Sequence, residues 1–300
     1  MIFEDDFQQF VDIGVWPSRK SFAPIEWLSN FDDDEKPYAL RLLNGFTYFT
    51  SDMVKSMFKS NFRAISKNIV SYTNKSSYGK NKIEWESFLD HCYIVKVEGE
   101  NPSDADSGYI FSRMARDVLG IDENRLKSVS DIKNIVTENS NANFIFVDDF
   151  VGSGAQFCKF WNDNDLESIS NNNQFTFHYI PLICTEMGAR RIKESCIGVN
   201  ILPSHFLNYK YSALHEESYI WEGFKQGGPN FIKEASMRAG IPDMNGGVSV
   251  KPNGEKDVSW DGFCSLGLTI GFEHGTPDAT LPIFYHNENN WKPLIIKDNI

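Results

Sequence analysis

The sequence predicts an α/β protein: an open, mainly parallel sheet with helices on both faces, preceded by a helical N-terminal region and followed by an irregular C-terminal cover. Three observations predict it. From residue 91 onward, short apolar runs alternate with segments of helical periodicity. The run "NFIFV" at 143–147 is almost continuously apolar, as a strand covered on both faces requires. Each run is followed by a turn that opens an amphipathic segment. The expected organisation is a helical region over 1–90, the sheet core over 91–209, and an extension over 210–300 packed on the core.

Taken in order, "DDDEKPYALRLLNGF" offers aspartates at a helix start, a proline in the first turn and Gly45 at the end. From about Asp52 to Tyr72, Met53, Met57, Phe58, Phe62, Ile65 and Ile69 recur at steps of three and four, which predicts a long helix. Its Lys55, Lys59, Arg63 and Lys67 form either a solvated face or a docking surface for an acidic partner. "CYIVKVEG" reads as a strand, and "GYIFSRMARDVLG" as a helix with Ile110, Phe111, Met114, Ala115 and Val118 on one face. Arg113 and Arg116 then fall either on its solvated side, opposite Ile110 and Met114, or toward a phosphate that a guanidinium suits. "AQFCKFW" predicts a helix burying Phe157, Phe160 and Trp161; "FTFHYIPLIC", "EMGARRIKES" and "GVNILP" predict strand, helix and strand. His178, inside that strand, reads as a satisfied core residue. Beyond about residue 205, Gly- and Pro-punctuated stretches predict loops with short strands.

Composition narrows the function. With 29 basic and 41 acidic residues, a net charge of -12 argues against a general nucleic-acid-binding surface, whose affinity depends on phosphate neutralisation. Five scattered cysteines without a CxxC pair read as reduced core thiols. The N-terminal stretch has no signal-peptide pattern, and no segment reaches the roughly 18 apolar residues of a membrane span, so the chain is expected to be soluble, untargeted and cytoplasmic. The six histidines show no zinc spacing.

The stretch "NFIFVDDFVGSGAQF" places two acids and a small-residue turn between a strand and a helix. In a parallel sheet, ligands bind where strand ends lead into helix N-termini. Asp148 and Asp149 suit a vicinal diol, while the amides of Gly152, Ser153 and Gly154 suit an anion, a pairing that a sugar phosphate satisfies. A P-loop lacks its lysine here, and a dinucleotide fingerprint lacks its third glycine, because Phe157 stands there. "GSG" lacks the nucleophile-elbow pattern of a serine hydrolase.

On these residues "FIFVDDFVGSGAQ" resembles the signature of type I phosphoribosyltransferases. "DADSGYIFSRMAR" resembles the pyrophosphate loop of the same fold, and "GFEHGTPDATLPIFYH" is similar to a late Gly-Thr-Pro segment of a bacterial branch associated with conflict and retron-type antiphage systems. The resemblance covers roughly 90–290 and implies a phosphoribosyltransferase-like sheet. It also implies that Asp148 and Asp149 hold the ribose, and that Gly152, Ser153, Gly154, Ala155 and Gln156 hold the 5′-phosphate. Asp106, Ser107 and Gly108 would meet the pyrophosphate. Mg²⁺ is the implied cofactor, carried through the ligand with Asp148 or Asp149 as its nearest protein oxygens, and it would offset the negative field of these acids and Asp104. Phosphoribosyl pyrophosphate or a related nucleotide is the implied ligand, and a reverse-transcriptase-containing complex the implied protein partner.

Three departures bear on catalysis, for which no residue is assigned. Gln156 stands where Thr or Ser is usual, and Gly152 where purine-transferring members carry an acidic base. The 121–142 segment leaves little room for the second strand and closing loop. His274, Thr276 and Asp278 are candidates for a cover, with a buried structural turn as the alternative. Two functions follow: an enzyme acting on a ribose phosphate in antiphage defence, or a catalytically silent nucleotide sensor or scaffold.

Overall fold

Strands occupy ten short segments of the computed structural model, which describes residues 9–17, 22–69, 78–97, 107–224, 226–251 and 256–296. In chain order they are β1 (Thr47–Phe49), β2 (Cys92–Lys96), β3 (Leu126–Lys127), β4 (Ala142–Val151), β5 (Phe175–Thr185), β6 (Val199–Ile201), β7 (His205–Leu207), β8 (Val248–Val250), β9 (Lys256–Val258) and β10 (Ile270–Phe272). The chain divides into two units, Val54–Leu207 and Met1–Met53 with Asn208–Ile300. This grouping differs from three consecutive stretches: it cuts the N-terminal region at 53/54 and joins its first part to the C-terminal one.

The unit Val54–Leu207 is built on one parallel sheet of order β3-β2-β4-β5-β6, with β7 continuing along β5. Side chains alternate across it. Phe144 and Phe146 of β4, with Phe177 and Tyr179 of β5, share a core with Phe157, Phe160 and Trp161 of the helix Ala155–Asp163, and with Ile132, Ile135 and Ile192. The opposite pleat carries His178, which meets Phe88 of the helix Tyr78–Asp90 edge-on at 5.7 Å. On that face Asn61 donates to the carbonyl of Pro181 at 3.0 Å. Helices therefore flank both faces of a mostly parallel sheet, as the apolar runs predict.

Pro181 sits mid-strand in β5, where a missing N–H ordinarily breaks a ladder. Its carbonyl receives Ser204 N–H at 3.3 Å in the gap between β6 and β7, so the missing donor falls where the neighbouring strand is already interrupted.

Several expectations change. The 121–142 segment does contain a strand, reduced to the two residues of β3 paired with Ile94 and Val95, followed by the helix Ile132–Glu138. The long helix expected to Tyr72 is Ser51–Ala64 followed by Ser66–Ile69, and residues 70–72 lie outside the described residues. Its buried stripe is Val54, Phe58, Asn61, Phe62 and Ile65, whereas Met53 is exposed; Lys55, Lys59, Arg63 and Lys67 are exposed as well.

The C-terminal region is less irregular than expected, because it contains the helix Gly228–Ala239, with proline in its first turn and Gly240 at φ +82° after its end. Phe231, Ile232, Ala235 and Ala239 bury its inner face in a core shared with Trp27, Leu42, Leu281 and Phe284. Trp27 donates its indole N–H to Ile283 O at 2.9 Å and stacks on Phe284. β1 pairs in parallel with β10 in the same unit. Cys92, Cys158, Cys184 and Cys196 are buried free thiols, with Cys158 and Cys196 sulfurs 3.4 Å apart, and Cys264 is half-buried. No helix among the described residues is long and apolar enough to cross a membrane.

Candidate functional site

β4 does not end before the acids. It runs through Asp148 and Asp149 to Val151, which pairs with Cys184. Alternation sends the two carboxylates to opposite pleats. Asp148 follows Phe146 toward the aromatic core and is only 9% exposed; Asp149 is half-buried. A buried carboxylate needs donors. Asp148 Oδ1 accepts the N–H of Asp149 at 2.9 Å, and Oδ2 accepts the hydroxyl of Tyr179, also at 2.9 Å. Burial foremost, then the charge and hydrogen bond of Asp148, push the Tyr179 hydroxyl well above its ordinary pKa, so it remains a donor. Burial also raises the Cys184 thiol, to about 12.

The turn after β4 is held from the next strand. Thr185, the last residue of β5, donates its hydroxyl to Gly152 O at 2.5 Å and accepts the N–H of Gly188 at 3.0 Å, capping the helix Glu186–Ser195. A Cβ on Gly188 would lie 2.4 Å from Gly152 O, so glycine is what allows this approach. Gly154 has φ +72°, and a Cβ there would lie 2.8 Å from Gly188 O. Ser153 is buried, whereas Ala155 and Gln156 are exposed.

From this turn springs the helix Ala155–Asp163. No side chain caps it at Gly154, and the nearest substitute is Ala155 N–H reaching Ser153 Oγ at a long 3.4 Å. First-turn amides without a side-chain cap, with the partial positive charge of the helix end, are donors of the kind that suits an anion. The structure thus brings Asp148, Asp149, Gly152, Ser153, Gly154, Ala155 and Gln156 into one continuous strand, turn and helix start.

The other expected residues belong to other segments of the chain. Asp104 and Asp106 lie outside the described residues, and Ser107 and Gly108 open the helix Ser107–Leu119. Arg113 and Arg116 are exposed on that helix, and Arg116 pairs with Asp117 at 2.8 Å. His274, Thr276 and Asp278 belong to the unit formed by Met1–Met53 and Asn208–Ile300. There Asp278 pairs with Lys256 at 3.0 Å and its carbonyl accepts Phe263 N–H at 2.8 Å, while the His274 ring lies 5.1 Å from Phe272. These are contacts of a turn packed within its own unit.

Among the described residues, no group of three or more His, Cys, Asp or Glu side chains is placed to hold a metal ion. The carboxylate oxygens of Asp148 and Asp149 are of the type that suits Mg²⁺, an ion that keeps most of its shell as water and substrate phosphate.

Sequence reasoning missed Tyr179, Thr185 and Gly188. Thr185 was readable as a helix N-cap before "EMGARRIKES"; Tyr179 carried only the weak signal of a hydroxyl inside an apolar strand.

A parallel sheet flanked by helices, with an acid pair in one strand leading through a glycine turn into an uncapped helix, defines an α/β protein of the open-sheet class. Within that class the match is specific: the PRTase-CE family model covers residues 24–297, and the chain belongs to this phosphoribosyltransferase-like family. No curated protein matches the chain.

Proposed function

We propose that the protein binds phosphoribosyl pyrophosphate, or a closely related ribose phosphate or nucleotide, with Mg²⁺, and acts as an effector or accessory component of a bacterial antiphage defence system. The observation that carries the ligand reading is the junction from Asp148 to Gln156, in which carboxylates lead without interruption into uncapped amides. In this reading the first-turn amides take the 5′-phosphate and Asp149, the more open acid, takes the ribose hydroxyls. Bound Mg²⁺ would supply charge neutralisation at the pyrophosphate. Gln156, exposed at the start of the helix, adds an amide donor beside the phosphate. The defence role rests on the resemblance of "GFEHGTPDATLPIFYH" to the conflict-system branch.

A second reading, a catalytically silent sensor or scaffold within a larger, reverse-transcriptase-containing complex, is favoured by the reduction of β3 to two residues, which leaves little chain to close over a reaction. Calorimetric titration with phosphoribosyl pyrophosphate and Mg²⁺ tests the shared core of both readings. Binding is expected for the native chain and a loss of about tenfold or more for Asp149→Asn, the worth of a charge-assisted hydrogen bond. Absence of heat, or equal heat for both proteins, contradicts it. Pyrophosphate release in a metabolite extract then separates enzyme from sensor. Phage plating on cells carrying the intact locus, with native protein or Asp149→Asn, tests the defence role: equal plating in both contradicts it.

A further inference from the structure

We infer that Cys158 and Cys196 are a redox modification site: hydrogen peroxide joins them in a reversible disulfide that locks together the two helices flanking the turn at residues 152–154. The inference goes beyond the ribose-phosphate reading and stands without it. The two sulfurs lie 3.4 Å apart, with Cys196 donating its S–H to Cys158. A disulfide bond is about 2.05 Å long, so the pair closes with a movement of about 1.4 Å, which small side-chain and helix-end adjustments cover. Cys184 donates instead to the carbonyl of Thr185.

The placement of the pair makes the bond a bridge between elements. Cys158 is the fourth residue of the helix Ala155–Asp163, and its N–H donates to Gly154 O at 3.1 Å. Cys196 directly follows the helix Glu186–Ser195, and its N–H closes the last turn on Ile192 O at 2.8 Å. The same two helices already approach each other where Gly154 meets Gly188. The disulfide adds a covalent contact to that packing.

Exposure and hydrogen bonding set the order of the chemistry. Cys158 is 8% exposed and Cys196 2%, so a small oxidant meets Cys158 first. Burial foremost, then the hydrogen bond to Cys158, raise the Cys196 thiol, which keeps its proton until the second step. In the first step the Cys158 sulfur attacks one peroxide oxygen, the O–O bond breaks, and the thiol proton leaves with the other oxygen as water. Cys158 is then a sulfenic acid. In the second step the Cys196 sulfur attacks that of Cys158; S–S forms, S–O breaks, and the Cys196 proton leaves with the hydroxyl as a second water. The thiols give up two electrons and the peroxide takes them, and a dithiol reverses the change by exchange.

The experiment is oxidation of the reduced, native full chain with hydrogen peroxide, followed by alkylation of the remaining thiols and peptide mapping. One linked pair, Cys158 with Cys196, is expected, with Cys92, Cys184 and Cys264 alkylated and all five thiols restored by dithiothreitol. The oxidised chain should melt about 3 °C or more above the reduced one, because the bond ties residues 38 apart in the unfolded chain. Cys158→Ala should abolish both the pair and the oxidant-dependent rise, while Cys196→Ala should leave a sulfenic acid at Cys158 that dimedone traps. Should either variant fail to fold, the map and melt of the native chain decide alone. Five free thiols after oxidation, a pair that includes any other cysteine, or a linked pair with no rise in melting temperature overturns the inference.

Discussion

His178 is the residue whose chemistry is most at odds with its surroundings. It is 4% exposed, faces the ring of Phe88, and its Nδ1 is buried with no hydrogen-bond partner among the described residues. The expectation of a satisfied core histidine is therefore corrected: periodicity placed the residue inside, but satisfaction depends on what the covering helix brings, and Phe88 brings no acceptor or donor. Burial depresses its pKa from 6.5 to about 4. The folded state then holds the neutral ring while the unfolded chain takes up a proton below pH 6.5. Stability contributed by this site is complete above pH 6.5 and lost as pH falls toward 4, by about 3 kcal/mol over the window. Urea unfolding of native protein and His178→Leu between pH 7 and pH 4 checks this, because the difference between them should shift in favour of the variant as pH falls. A constant difference contradicts it.

At the scale of elements, the turn at residues 152–154 owes its shape to the neighbouring strand and helix rather than to itself. Thr185→Val removes both the cap of Glu186–Ser195 and the donor to Gly152 O, and should cost about 1 to 2 kcal/mol. Gly188→Ala forces a methyl group toward Gly152 O and Val151 Cγ1 and should cost about 1 to 3 kcal/mol. Thermal melts measure both losses, and inorganic phosphate affinity should fall with them, since the amides move; unchanged affinity in both variants contradicts the coupling. The acid pair, the turn and the following helix were legible in "VDDFVGSGAQFCKFW" because strand and helix periods change there and glycine marks the turn. Tyr179 was not, since a cross-strand hydrogen bond depends on register, and register has no local signature. β3 escaped notice because two residues are too few to show a period.

At the scale of the whole chain, the parallel sheet was legible from its apolar runs, whereas the second unit was not. Its core joins Phe22, Trp27 and Phe46 to Phe231, Leu281 and Phe284. No composition shift announces that partnership across the intervening sheet. The helix Gly228–Ala239 was readable in "GGPNFIKEASMRAG", with its Gly-Pro start and terminal glycine, but the surrounding turn residues masked it. Trp27→Ala removes a fully buried indole and its bond to Ile283 O, and should destabilise this unit by about 3 to 5 kcal/mol in a calorimetric melt; a loss below about 1 kcal/mol contradicts a shared core. The family match over 24–297 includes residues of both units. The central claim, that this junction receives a ribose phosphate, is tested most directly by a crystal structure with phosphoribosyl pyrophosphate and Mg²⁺. The 5′-phosphate is expected on the amides between Gly152 and Gln156, with the ribose beside Asp149. A phosphate held anywhere else in the molecule, with this turn left bare, would contradict it.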